Sequence, residues 1–132
     1  LHSGLVKLIR DLNRNYSSHP GWAKSDHQSD KFSWVDCNDR DRQTLSFLRL
    51  GEDSGETLLV ACNFSGRLVH RDWGCPHPGG WKVLLDTDSP HYGGEGSAGG
   101  TVFSSLANPC DGHPQSLSFS VGRWSVRILC PG

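Results

Sequence analysis

Carboxylates, thiols, imidazoles and indoles are the side chains in this sequence whose types and spacing invite a chemical reading. Asp36, Asp39 and Asp41 form one acidic cluster, and Asp86 and Asp88 form a second. Acid/base work at a glycosidic bond needs two carboxyls about 5–10 Å apart, one of them raised in pKa by an apolar setting. Neither cluster has such a setting, and an Asp at the end of a strand ordinarily bonds its own backbone in a turn. A hard-cation loop needs roughly six or more oxygens, beyond what Asp86 and Asp88 bring. Cys75-Pro76-His77 offers two ligands, half of what a structural zinc takes, and Cys62 and His91 fall at no familiar ligand spacing. No G-x-S-x-G nucleophile elbow occurs. The sequence therefore assigns no catalytic residue, no metal ligand and no cofactor. Asn63-Phe64-Ser65 matches a glycosylation acceptor, but it closes an apolar run that reads as a buried strand.

The five cysteines are Cys37, Cys62, Cys75, Cys110 and Cys130, an odd count with no C-x-x-C pair. Cys37, Cys62 and Cys130 lie within or at the end of apolar runs, as buried free thiols of a reducing compartment would. Two disulfides and a spare thiol are the alternative. The five tryptophans are many for 132 residues. An indole can stack on the C–H face of a sugar ring by the logic of other aromatic contacts. Trp34 and Trp124 fit strand patterns and are expected in the core. Trp22, Trp73 and Trp81, with Tyr92, lie at or near expected loops and are the candidates for sugar contact, with ordinary packing as the default.

The elements that position these residues follow from periodicity. Leu5, Leu8, Ile9, Leu12 and Tyr16 recur at helical spacing, with Ser3 as the expected N-cap. The helix should end before Ser17-Ser18-His19-Pro20-Gly21, which is turn chemistry, and residues 17–31 read as an irregular connection. The period then changes to two. Strands are expected at 32–37, 44–50, 57–64, 68–73, 81–86 and 101–106, and two more near the end. Thr57 to Phe64 is almost wholly apolar, as in a strand covered on both faces. Glycines at 93, 94, 96, 99 and 100 forbid a regular element there. Leu117, Phe119 and Val121 alternate with serines, as Trp124, Val126, Ile128 and Cys130 do with Ser125, Arg127 and Leu129. Gly122-Arg123 between them suits a two-residue hairpin loop. One helix followed by about eight short strands is the pattern of a mainly β, antiparallel sandwich.

Thirteen Lys plus Arg face fourteen Asp plus Glu, for a net charge of −1. That balance excludes the basic stripe of a nucleic-acid binder and a polybasic membrane patch. No apolar run approaches the ~20 residues of a membrane span, and the first ten residues lack the layout of a signal peptide. The chain contains no Met and reads as part of something longer. The helix has no helical partner, so its stripe should either fold back on the sheet or self-associate.

These segments resemble one family. Leu5-Val6-Lys7-Leu8-Ile9-Arg10-Asp11-Leu12-Asn13, Tyr16 and His19-Pro20 resemble the last barrel helix of prokaryotic 1,4-α-glucan branching enzymes of the α-amylase superfamily. Phe32-Ser33-Trp34-Val35-Asp36, Asp39 and Leu45-Ser46-Phe47-Leu48-Arg49 resemble the start of their C-terminal domain, and Leu59-Val60-Ala61-Cys62-Asn63-Phe64-Ser65 its next strand. The most specific likeness is Gly80-Trp81-Lys82-Val83-Leu84-Leu85-Asp86-Thr87-Asp88-Ser89 with Tyr92-Gly93-Gly94. Departures stand at Leu85, Gly122-Arg123 and Gly74-Cys75-Pro76, where the family commonly has Asn, a Pro-Pro pair and a Gly-Val-Pro stretch.

The resemblance implies the α-amylase type of C-terminal all-β domain at residues 32–132, behind a connection at 17–31. It implies that residues 1–16 are the last helix of a catalytic barrel. The family cleaves an α-1,4 bond and rejoins the chain through an α-1,6 bond, by retention, using an Asp nucleophile and a Glu acid/base. Those residues precede the last helix on barrel loops, so none carries over to this chain. The implied partners are the barrel and an α-glucan such as glycogen, with Trp22, Trp73, Trp81 and Tyr92 as the glucan-contact candidates and a cytoplasmic location. The alternatives are a stand-alone glucan-binding sandwich and a secreted sandwich held by disulfides.

Overall fold

The computed structural model describes residues 2–19, 22 and 26–132. The Pro20-Gly21 half of the expected turn, with Leu1, Ala23, Lys24 and Ser25, lies outside the described residues. One helix, α1 (Ser3–Ser18), precedes eight strands: β1 (Phe32–Asp39), β2 (Thr44–Arg49), β3 (Leu58–Asn63), β4 (Val69–Cys75), β5 (Gly80–Asp86), β6 (Val102–Ser104), β7 (Gln115–Val121) and β8 (Ser125–Pro131). The mainly β, antiparallel sandwich read from the sequence is the fold the chain adopts. A six-stranded sheet in the order β1-β2-β3-β8-β5-β6 faces a two-stranded sheet of β4 and β7.

The two layers explain the burial pattern. Val35, Leu48, Leu59, Ala61 and Leu129 of the large sheet meet Trp73, Leu117, Phe119 and Val121 of the small one. Trp73 stacks on Phe119 at 5.2 Å between ring centroids, an arrangement that adds to simple burial. The outer face of the large sheet carries a second apolar layer, with Leu58, Val60, Cys62, Leu85, Ile128 and Cys130 under Leu8 and Leu12 of α1. That is why β3 is buried at every position: the small sheet covers one face and the helix side covers the other.

Three details differ from the sequence reading. Ser3 is the first helical residue and not the cap; His2 holds the cap position without a side-chain bond. The helix runs past Tyr16 because the Ser17 and Ser18 hydroxyls donate to the Asn13 and Arg14 carbonyls at 3.0 and 2.8 Å, satisfying carbonyls of the last turns. The expected β7–β8 hairpin is absent. β7 pairs with β4, whereas β8 lies between β3 and β5 in the other sheet. Gly122, Arg123 and Trp124 therefore carry the chain from one layer to the next.

Helix α1 is fastened locally to the 3-10 turn at Pro90–Tyr92. A Cβ added at Gly4 would overlap the Tyr92 carbonyl, so only glycine allows this approach. The Tyr92 hydroxyl donates to Asp11 at 2.7 Å. Of the apolar stripe, Leu8 and Leu12 reach the sheet, while Leu5, Val6 and Ile9 remain 55%, 54% and 51% exposed.

Candidate functional site

The acidic clusters are consumed by structural cations. Arg71 on β4 is buried, and its Nη1 meets Asp36 and Asp39 at 3.1 Å each while Nη2 meets Asp111 at 2.7 Å. Its guanidinium also lies 4.7 Å over the Trp73 ring. Burial alone would raise the Asp39 pKa; the Thr44 hydroxyl and the guanidinium groups of Arg42 and Arg71 outweigh it and hold the carboxyl below its usual range. A group held ionised in this way cannot serve as a general acid near neutral pH.

The second cluster shapes a loop. Asp86 pairs with buried Arg127 at 2.9 Å, and Arg127 donates to the Gly99 and Gly100 carbonyls at 2.8 and 2.7 Å. Asp88 accepts the Glu95 and Ser97 N–H groups at 3.0 Å and the Ser97 hydroxyl at 2.8 Å. Burial pushes the Asp88 carboxyl up, but these donors bring it below its ordinary value. The Asp86–Asp88 pair thus ties down the glycine-rich stretch that the sequence marked as irregular. Among the described residues, no group of three or more His, Cys, Asp or Glu is arranged to hold a metal ion.

All five cysteines are free thiols. Burial raises Cys62 and Cys75 to about 11, so neither is a nucleophile near neutral pH. Asn63 is buried, and its Nδ2 lies 2.8, 3.1 and 2.9 Å from the carbonyls of Arg67, Val121 and Gly122. It braces two loops and offers no accessible glycan acceptor.

The four sugar-contact candidates do not form one site. Trp73 and Trp81 are 0% exposed. Their Nε1 groups donate to the Phe119 and His77 carbonyls at 3.0 and 3.2 Å, and with no exposed surface neither has a free ring face for a sugar. Both stand within strands, Trp73 in β4 and Trp81 in β5, with inward-facing registers. Trp22 and Tyr92 are half-buried in the outer apolar layer. Trp22 lines a cavity of about 270 Å³ between Tyr16 and Phe47, and Arg49 donates to the Trp22 carbonyl at 3.2 Å. Tyr92 borders a second cavity of about 340 Å³ near Asp86 and Arg127.

The two indoles expected in the core are the exposed ones. Trp34 sits on edge strand β1 opposite Phe47 and packs with Phe32 and Phe47 at centroid distances of 5.1 and 6.1 Å. Trp124 is 70% exposed and lies in the connection before β8. Alternation alone could not separate them from core residues, because it does not say which face of an edge strand is covered.

The family described as the alpha amylase C-terminal all-beta domain matches residues 34–132. The 1,4-alpha-glucan branching enzyme of Rhodospirillum rubrum is 36% identical over 131 residues, which is 98% of this chain and 18% of that enzyme. The branching enzyme of a Jannaschia species is 39% identical over 132 residues, covering 97% of this chain and 18% of its own. That of Paramagnetospirillum magneticum is 40% identical over 118 residues, or 88% and 16%. The chain thus spans less than a fifth of the length of the relatives it matches.

Proposed function

Because this chain belongs to the family of alpha amylase C-terminal all-beta domains, we propose that it serves as the non-catalytic C-terminal domain of a cytoplasmic 1,4-α-glucan branching enzyme. The parent enzyme would act in glycogen synthesis, transferring α-1,4-linked chains to α-1,6 positions from a barrel that also carries the catalytic carboxylates. The observation that supports this most is the likeness to branching enzymes across 98% of the chain. The chemistry agrees with it, since the paired Asp residues here are bound to Arg71, Arg127 and loop amides.

The outer face of the large sheet suits contact with a barrel. Phe32 and Trp34 on edge strand β1 are 37% and 50% exposed, and Leu5 and Ile9 of α1 are half-exposed. Exposed apolar side chains on these elements suit a packing face. In this reading residues 3–18 are the helix through which the barrel and the β domain are joined. No described helix is long and apolar enough to cross a membrane.

A chimera tests the reading. The matching C-terminal segment of the Rhodospirillum rubrum enzyme is replaced by this chain, and branching of amylose is followed by the fall in iodine-complex absorbance. The chimera should branch, the truncated enzyme should lose most activity or solubility, and this chain alone should be inert. Branching by the chain alone, or a soluble chimera no better than the truncation, would overturn the proposal.

A further inference from the structure

We propose that Trp124 is the stacking platform of a surface site for an α-glucan chain, separate from the outer apolar face. Its platform geometry stands independently, while the choice of α-glucan rests on the branching-enzyme reading.

Trp124 is the most exposed large apolar side chain among the described residues. It also adopts a left-handed backbone with φ of 50°, a region costly for a bulky side chain. Strain and exposure together point to a use outside folding. The ring rests against the β3–β4 loop: a Cβ added at Gly66 would stand 3.6–3.9 Å from Nε1, Cε2 and Cζ2 of the indole.

The mount is rigid. The Trp124 N–H donates to the Ser65 carbonyl at 3.0 Å, and the Ser125 hydroxyl donates to the Gly122 carbonyl at 2.6 Å. Buried Asn63 ties the loops on either side through the Arg67, Val121 and Gly122 carbonyls. A ring held this firmly loses little freedom when a ligand stacks on it.

Surroundings select the ligand. Arg123 is paired with Glu95 and Arg67 of the supporting loop donates to the Asp41 carbonyl, so the patch is not a basic cluster of the kind that gathers phosphates, and these groups can bond hydroxyls. Phe64 and Leu68, from the loop that supports the indole, are 53% and 48% exposed. The three apolar side chains offer on the order of 300 Å², well below the ~800 Å² per partner of a stable protein interface. A flat, uncharged sugar chain fits both limits.

The test uses the 132-residue chain labelled with ¹⁵N. The indole N–H signal of Trp124 is identified by its loss in Trp124→Asn, a residue that tolerates the left-handed backbone. Maltoheptaose should move that signal saturably, cellohexaose should not, and amylopectin in a native gel should retard the wild type. W124N should weaken retardation roughly tenfold or more at an unchanged Tm, and W124F should retain part of it. An unmoved Trp124 signal, or W124N retarded like the wild type, would overturn the site. An equal response to cellohexaose would overturn the α-glucan assignment, and a signal that shifts with protein concentration alone would replace sugar by a second copy. None of these results depends on chimera activity, so failure of this site and failure of the branching-enzyme reading are told apart.

Discussion

Arg71 is the residue on which the loop end of the sandwich converges. Its side chain is 3% exposed and its carboxylate partners come from β1 and from Asp111, forty positions along the chain. Replacing it with Met leaves Asp111 without its cation and Asp39 with Arg42 alone, which costs more than the pair itself contributed, about 3–5 kcal/mol. R71M should therefore lower the urea midpoint sharply at unchanged m, and R71K should recover only part, because a single ammonium cannot reproduce the forked contacts. A midpoint for R71M equal to the wild type would show that the network is decorative. Asp88 adds a pH dependence whose sign is fixed. Its folded pKa and that of Asp39 are both depressed, so their stabilisation is complete above the unfolded value of about 4 and is lost as pH falls through the lower folded values. Tm should stay level between neutral pH and about 5 and then fall. D88N should be less stable at neutral pH by about 1–3 kcal/mol and lose less on acidification, which thermal melts across that range measure directly.

At the scale of elements, the attachment of α1 is the sharpest case. Gly to Ala inside a helix ordinarily stabilises by about 1 kcal/mol. At Gly4 the added methyl meets the Tyr92 carbonyl, so the sign should reverse and G4A should lose about 1–3 kcal/mol as the helix shifts off the 3-10 turn. A rise in Tm for G4A would show that the helix is free of that turn. This contact was invisible in the sequence, where Gly4 and Tyr92 are unrelated letters. What was legible were elements whose burial depends on their own residues. β3 announced itself because an apolar run covered on both faces needs no partner information. Strand starts at Phe32 and Thr44 and the helix at Leu5 to Tyr16 were visible in the same way. The β7–β8 connection was not, since alternation is the same whether two strands form a hairpin or enter opposite sheets. The candidate indoles were misplaced for a related reason. Trp73 and Trp81 neighbour glycine and proline loops but stand in register with core positions, whereas Trp34 lies on an edge strand and Trp124 in a crossover. Arg71 and Arg127 were not singled out, because their partners are remote in sequence.

At the scale of the whole molecule, the layers leave one side unfinished. The small sheet seals one face of the large sheet, and on the other face α1 contributes only Leu8 and Leu12 to the apolar layer. Leu5, Val6 and Ile9 stay about half-exposed on the helix, and Phe32 and Trp34 stay open on edge strand β1. Burying the exposed halves of Leu5, Val6 and Ile9 would contribute about 1 kcal/mol each, which for two copies only modestly exceeds the cost of association. The separate chain should therefore dimerise only weakly, with Kd well above ~1 mM, and sedimentation velocity at the highest attainable concentrations should show its onset. L5E/I9E should abolish the concentration dependence while leaving Tm nearly unchanged, because neither side chain belongs to a buried cluster. The same double substitution carried into the chimera should reduce branching or solubility, since this stripe is the surface proposed to meet the barrel. A wild-type chain that stays monomeric throughout, together with an unaffected L5E/I9E chimera, would mean that the stripe has no partner and that the domain meets its barrel by another face.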